Sequence, residues 1–188
     1  INNTNSAIVG ISSFLYENYP SNKYLNFVSD KVEKSINNHF NHNMIASKYN
    51  ISGINDFIPI NSNNTCYSLP FRELISDSIE SSIRLNNYDG NVCVIGSELS
   101  TVGSLIGMLR TNRPGFLISG GNIFNKDNLN NRYCIDNNIM LIALEGMGMS
   151  MLNDSSIQAV SNKKIYQTMD TGKIIHNLML NDIRPKDL

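Results

Sequence analysis

Short runs of wholly apolar residues alternate along this chain with longer stretches in which apolar residues recur every three or four positions. Val92-Cys93-Val94-Ile95 and Phe116-Leu117-Ile118 offer no polar residue to either side of an extended chain, and each run stops at a turn, Gly96 and Ser119-Gly120-Gly121. A strand apolar on both faces must be covered on both, the condition met by a parallel sheet flanked by helices. Ala7-Ile8-Val9-Gly10-Ile11 reads as another such strand, and Met44-Ile45-Ala46 as a further one. Between the strands, Leu25, Val28, Val32 and Ile36 stripe one face of a helix that begins near Ser21 or Asn22, both suited to N-caps. Ile75, Ile79 and Ile83 stripe a helix over 72–85, with Pro70 just ahead of it. Val102, Leu105, Ile106 and Leu109 predict a helix over 101–110, and two more are expected at about 139–152 and 161–180, before Arg184-Pro185 ends the pattern. The expected fold class is α/β, a doubly wound, mostly parallel sheet with helices on both faces and right-handed crossovers, forming one domain over 1–188. Ligands of such folds gather at the carboxyl ends of strands, here expected at 10–13, 47–56, 96–100 and 119–121.

Composition narrows the function classes. The 188 residues carry 15 Lys and Arg against 16 Asp and Glu, a net charge of −1. That balance excludes the basic footprint of direct, sequence-specific nucleic-acid binding. Charged residues, at 16%, fall below the usual ~25%, and 30 Asn with 22 Ser take their place. The excess Asn reads as compositional drift on a solvated surface. Cys66, Cys93 and Cys134 have no paired spacing, so neither a disulfide framework nor a cysteine zinc site is indicated. No apolar run approaches the ~18 residues that span a bilayer. The first residue is Ile; either the start is missing or a leader has been removed, and a removed leader would suggest secretion or an organelle.

One segment carries a longer signature. Tyr67-Ser68-Leu69-Pro70-Phe71-Arg72-Glu73-Leu74-Ile75-Ser76-Asp77-Ser78-Ile79-Glu80 resembles the Y-S-L-P-S-R-E-x-I-A-D-S-x-E hallmark of the dihydroxy-acid and phosphogluconate dehydratase family. The likeness extends ungapped to both sides. Upstream, Gly10-Ile11, Glu17, Pro20 and Asn22 fit a G-I-A-N-S-x-x-E-x-x-P-C-N stretch. Downstream, Gly103-Ser104-Leu105, Leu109-Arg110-Thr111-Asn112-Arg113-Pro114 and Ser119-Gly120-Gly121 fit the helix and loop after the family's C-D-K motif. Glu145-Gly146-Met147-Gly148-Met149-Ser150-Met151 is similar to E-A-L-G-L-S-L, and Asp182-Ile183-Arg184-Pro185-Lys186-Asp187 to D-I-T-P-R-D-I. The resemblance covers essentially the whole chain but only the amino-terminal part of the family, and the expectation is a protein without the family's carboxy-terminal domain.

The resemblance implies elimination of water from a 2,3-dihydroxy acid, with an iron–sulfur cluster as Lewis acid and a nearby magnesium partly held by a carbamylated Lys. Soft thiolates hold the cluster and hard oxygens the magnesium. Compared position by position, Ser21 stands at the first cluster cysteine and Ser97 at the second. For the third, an ungapped count back from Glu145 gives Asn131, and a small gap gives Cys134. Asp56 aligns with one magnesium carboxylate and Glu98 with another, whereas Leu99 replaces the carbamylated Lys and Asn63 a family Glu. Asp56 and Glu98 are therefore a vestigial metal site able at most to hold magnesium weakly, or else a loop residue and a solvated one. His39, His42 and His176 read as surface residues, Cys93 as core, and Met147, Met149 and Met151 as core filling. Ser119-Gly120-Gly121 reads equally as an anion-binding turn or a plain strand-end turn.

Packing segments are kept while cluster and metal positions are changed. The expectation is a non-catalytic derivative with no cofactor and no catalytic residue, acting as a structural or interaction subunit beside other protein subunits. The setting expected is a larger, organellar assembly such as a mitochondrial ribosome or respiratory complex. The alternative is a divergent or split dehydratase completed by another chain.

Overall fold

The computed structural model describes residues 6–15, 20–38, 44–53, 65–121 and 138–188. Four strands, β1 (Ala7–Leu15), β2 (Met44–Ser52), β3 (Gly90–Ile95) and β4 (Gly115–Ser119), form one sheet in the order β2-β1-β3-β4. Every pairing is parallel: Val9 faces Ala46 of β2, Val9 also lies beside Gly90 of β3, and Val92 pairs with Phe116 of β4. The described helices are α1 (Pro20–Asn37), α2 (Ser68–Leu85), α3 (Glu98–Thr111), α4 (Asn138–Gly146), α5 (Asn162–Met169) and α6 (Thr171–Leu180).

Alternation along the strands divides the interior into two cores. Val9, Ile11, Val92, Val94, Phe116 and Ile118 point to one face, where Leu25, Val28, Val32 and Ile36 of α1 and Ile175 of α6 cover them. Phe14, Ile51, Cys93, Ile95 and Leu117 point to the other, beneath Ile75, Ile79 and Ile83 of α2, Met108 of α3, and Leu141 and Leu144 of α4. Each of these aliphatic side chains stabilises the fold by roughly 1.5–3 kcal/mol on burial. The α/β architecture expected from the apolar runs is what the chain adopts.

The differences lie at element ends, and each has a physical cause. β1 runs on to Leu15 because Ser12 and Ser13, both fully buried, continue the sheet; residues 10–13 therefore sit inside the strand, not at its carboxyl end. Gly10 is needed there, since a β-carbon would meet the Tyr88 ring at 2.4 Å. α1 starts at Pro20, a favoured first position, which places Ser21 inside the first turn instead of capping it. The helix expected to reach 152 stops at Gly146. Gly148 turns left-handed (φ 74) and Met149 N–H bonds back to Leu144, a Schellman ending. The chain then returns to the sheet, where Leu117 N–H donates to the Met149 carbonyl. The helix expected over 161–180 breaks at Asp170. There the Ser35 hydroxyl of α1 donates to the Met169 carbonyl and accepts from Gly172 N–H, replacing helix bonds with tertiary ones.

Asn also proves to have a structural use. Asn87, Asn112 and Asn153 all take left-handed conformations, which Asn tolerates far better than most residues. Surface drift alone does not account for them.

α2 and α3 pack closely because Gly103 and Gly107 bare the α3 backbone. A β-carbon on Gly107 would lie 2.9 Å from the Ser76 carbonyl and 3.0 Å from the Ile79 β-carbon. Arg110 then ties the pair together, donating to Ser76 Oγ, Asp77 and Glu73 at 2.7–2.9 Å. Alanine ordinarily favours a helix over glycine by ~1 kcal/mol, so the sign of Gly107→Ala is informative. The variant is expected to be less stable by about 1–2 kcal/mol through overpacking, measured as a lower urea midpoint.

Candidate functional site

β1 pairs with β2 on one side and β3 on the other, so the chain reverses its direction of build between β1 and β3. This switch point and the neighbouring end of β4 form the carboxyl edge where a doubly wound sheet binds ligands. Leu25 closes part of that edge. Its δ-carbons lie where β-carbons on Gly96 and Gly120 would fall, at 2.4 and 2.8 Å. Ser21 stands one turn before Leu25 in α1.

Ser97 is fully employed as the N-cap of α3. Its Oγ accepts from Ser100 N–H at 3.2 Å and donates to Ser100 Oγ, while Ser100 Oγ accepts from Ser97 N–H at 2.9 Å. Thr101 Oγ1 donates to the Ser97 carbonyl at 2.7 Å. Serine is among the best residues for this position, and the reciprocal bonds satisfy amides that the helix start leaves open. Glu98 is exposed in the first helical turn, where a carboxylate complements the helix dipole. Asp56, Asn63, His39, His42, Asn131 and Cys134 lie outside the described residues. No group of three or more His, Cys, Asp or Glu side chains is arranged to hold a metal among the described residues. Ser97 offers a hydroxyl that already works as a cap and Leu99 a hydrocarbon, so neither of these two described positions supplies a thiolate or an amine.

Other sequence candidates separate clearly. Met149 and Met151 are buried and Met147 is exposed; His176 is half-buried. Cys93 is fully buried in β3, its Sγ accepting from Asn91 Nδ2 at 3.0 Å. Burial pushes its thiol up to about 11, away from nucleophilic use. Cys66 is exposed.

The strongest electrostatic feature is one the sequence reading missed. Lys164 and Asp154, both fully buried, pair at the end of β4. Lys164 Nζ also donates to Gln167 Oε1 at 2.7 Å. Asp154 Oδ2 accepts from Ser119 N–H at 2.8 Å and from Ser150 Oγ at 3.0 Å. Burial holds the ammonium below the usual lysine range, and the Asp154 charge opposes that shift. The signal was present in α5: its inward positions, Lys164, Gln167 and Thr168, are polar where an amphipathic helix is normally apolar. Glu145 anchors the same loop, accepting from Asn153 N–H at 2.6 Å and from Ser155 Oγ at 2.7 Å.

Fold and edge together define a doubly wound α/β domain with caps and an internal ion pair at its strand ends. The chain belongs to the dihydroxy-acid/6-phosphogluconate dehydratase N-terminal family, whose profile matches residues 6–137. It is 28% identical to a chloroplastic dihydroxy-acid dehydratase of Arabidopsis thaliana, over 96% of this chain and 35% of that protein. It is 31% identical to a dihydroxy-acid dehydratase of Vesicomyosocius okutanii, over 96% and 38%. A mitochondrial dihydroxy-acid dehydratase of Penicillium brasilianum is 28% identical, over 97% and 37%. The chain thus spans little more than a third of the length of these relatives. The plant match runs over 218 positions, more than the 188 residues of this chain, so the likeness as a whole contains gaps, where the motifs alone suggest an ungapped one.

Two outcomes follow. Alkylation at mildly alkaline pH followed by mass mapping is expected to modify Cys66 in the folded protein and Cys93 only after denaturation. The Glu145 carboxyl is held below its usual 4.5, chiefly by the Ser155 hydroxyl bond. Its contribution is therefore complete above the unfolded-state value and lost as pH falls through the folded one. Glu145→Gln is expected to lower the urea midpoint at neutral pH and to converge with the parent protein in acid.

Proposed function

We propose that this chain is a non-catalytic dehydratase-like domain, kept as a structural or interaction subunit beside other proteins in a larger assembly. The observation that carries this reading is Ser97. The position that resembles a cluster cysteine is occupied by a hydroxyl committed to capping α3, and a deprotonated, iron-bound oxygen would forfeit its donation to Ser100. Family positions that serve packing support the same reading, because Arg110, Glu73 and Asp77 form one network between α2 and α3. An organellar setting, a mitochondrial one first, accords with the compartments named for the fungal and plant relatives. Bacterial relatives match equally well. Among the described residues no helix is long and apolar enough to cross a membrane.

A second reading is a divergent or split dehydratase completed by another chain. It is favoured by the relatives, all named as dehydratases and all much longer than this chain. One preparation separates the two. Protein isolated from its own cells is assayed for iron, acid-labile sulfide and dehydration of 2,3-dihydroxy acids, with co-purifying chains identified by mass spectrometry. A stoichiometric assembly without iron or turnover is expected; a cluster with turnover establishes the split enzyme instead.

A further inference from the structure

We propose that residues 153–160 form a strained strap, fastened across the carboxyl end of β4 and poised to open as a unit. Among the described residues five non-glycine positions take positive φ, and four of them are Asn or Asp: Asn87, Asn112, Asn153 and Asp182. The fifth is Val160, φ 60, where a β-branched side chain is strained. Asn153 and Val160 stand at the two ends of the segment. It lies directly on the sheet end, since a β-carbon on Gly121 would meet Ala159 N at 2.8 Å and the Ile157 carbonyl at 3.0 Å.

Three ties hold it down, each from a different element. Glu145 of α4 accepts from Asn153 and Ser155 N–H. The buried Asp154 joins Lys164 of α5 to Ser119 of β4. Tyr24 of α1 accepts from Val160 N–H at 2.8 Å through its hydroxyl. The Val160 side chain itself is 74% exposed, so packing does not offset its strain. Left-handed strain thus favours opening and the three ties oppose it. Opening uncovers the Ser119-Gly120-Gly121 turn and breaks the bond between Tyr24 and the strap.

Native-state amide hydrogen exchange reads each tie through its own amide: Asn153 and Ser155 for Glu145, Val160 for Tyr24, Ser119 for Asp154. In the parent protein the strap amides are expected to exchange faster than Val94, deep in β3. Val160→Asn relieves the left-handed strain and is expected to slow strap exchange by about tenfold. Tyr24→Phe removes one hydrogen bond and is expected to speed it by about fivefold, with Val94 unchanged in both. Lys164→Met is expected to release the strap most, because it leaves Asp154 buried and unpaired; if it does not fold, the other two variants decide. Strap exchange that tracks Val94 in every variant, or that fails to slow in Val160→Asn, overturns the proposal.

Discussion

Everything in this domain follows from the need to cover β3 and β4 on both faces. No position in either strand is exposed, so two separate helical layers are required and the chain must cross the sheet to supply them. α1 and α6 serve one face, α2, α3 and α4 the other. That crossing creates the switch point between β1 and β3, and with it the strand-end edge where α1, α2 and α3 all begin. Site and fold are therefore consequences of the same constraint. Close packing at the edge, through Leu25 against Gly96 and Gly120, is the form it takes here.

How much of this could be read beforehand depended on whether the signal was local. Val92–Ile95 and the Ile75, Ile79, Ile83 stripe announce buried elements by their own chemistry, and both are where they were expected. The ends were misread wherever a distant partner decided them. Ser35 breaks the helix at Asp170 from a position far earlier in the chain, and nothing between 161 and 180 reveals it. Ser12 and Ser13 look like a turn in sequence and are interior to a strand in space. The internal ion pair was only half legible: the polar inward face of α5 marks Lys164, but its partner Asp154 is assigned only once both meet at the end of β4. At the edge, Ser97 stood out in the sequence only by its place beside a family motif, and its capping role required the Ser100 geometry.

The cap also shows what a serine contributes at position 97. A cysteine at a helix start is a weak acceptor for backbone amides, whereas serine accepts and donates there at full strength. Ser97 thus contributes local stability at the start of α3. The packing network of Arg110 with Glu73 and Asp77 is exposed, and each of its ion pairs contributes modestly on its own. Its three-way arrangement fixes the α2–α3 crossing that the two bare glycines allow.

The all-parallel pairing has a further consequence, for the order in which the domain assembles. β1 meets β2 across α1, but its other neighbour is far along the chain, as shown by the Ile8–Asp89 bond between residues 81 positions apart. Loop closure on that scale is slow, and non-local pairing lengthens folding times. During synthesis the β1–β2 pair can form early, with one flank of β1 unpaired until Ile95 has emerged. The central ladder closes only then, and β4 with its strap must follow. The middle of the sheet, buried along the whole of β3 and β4, is joined late.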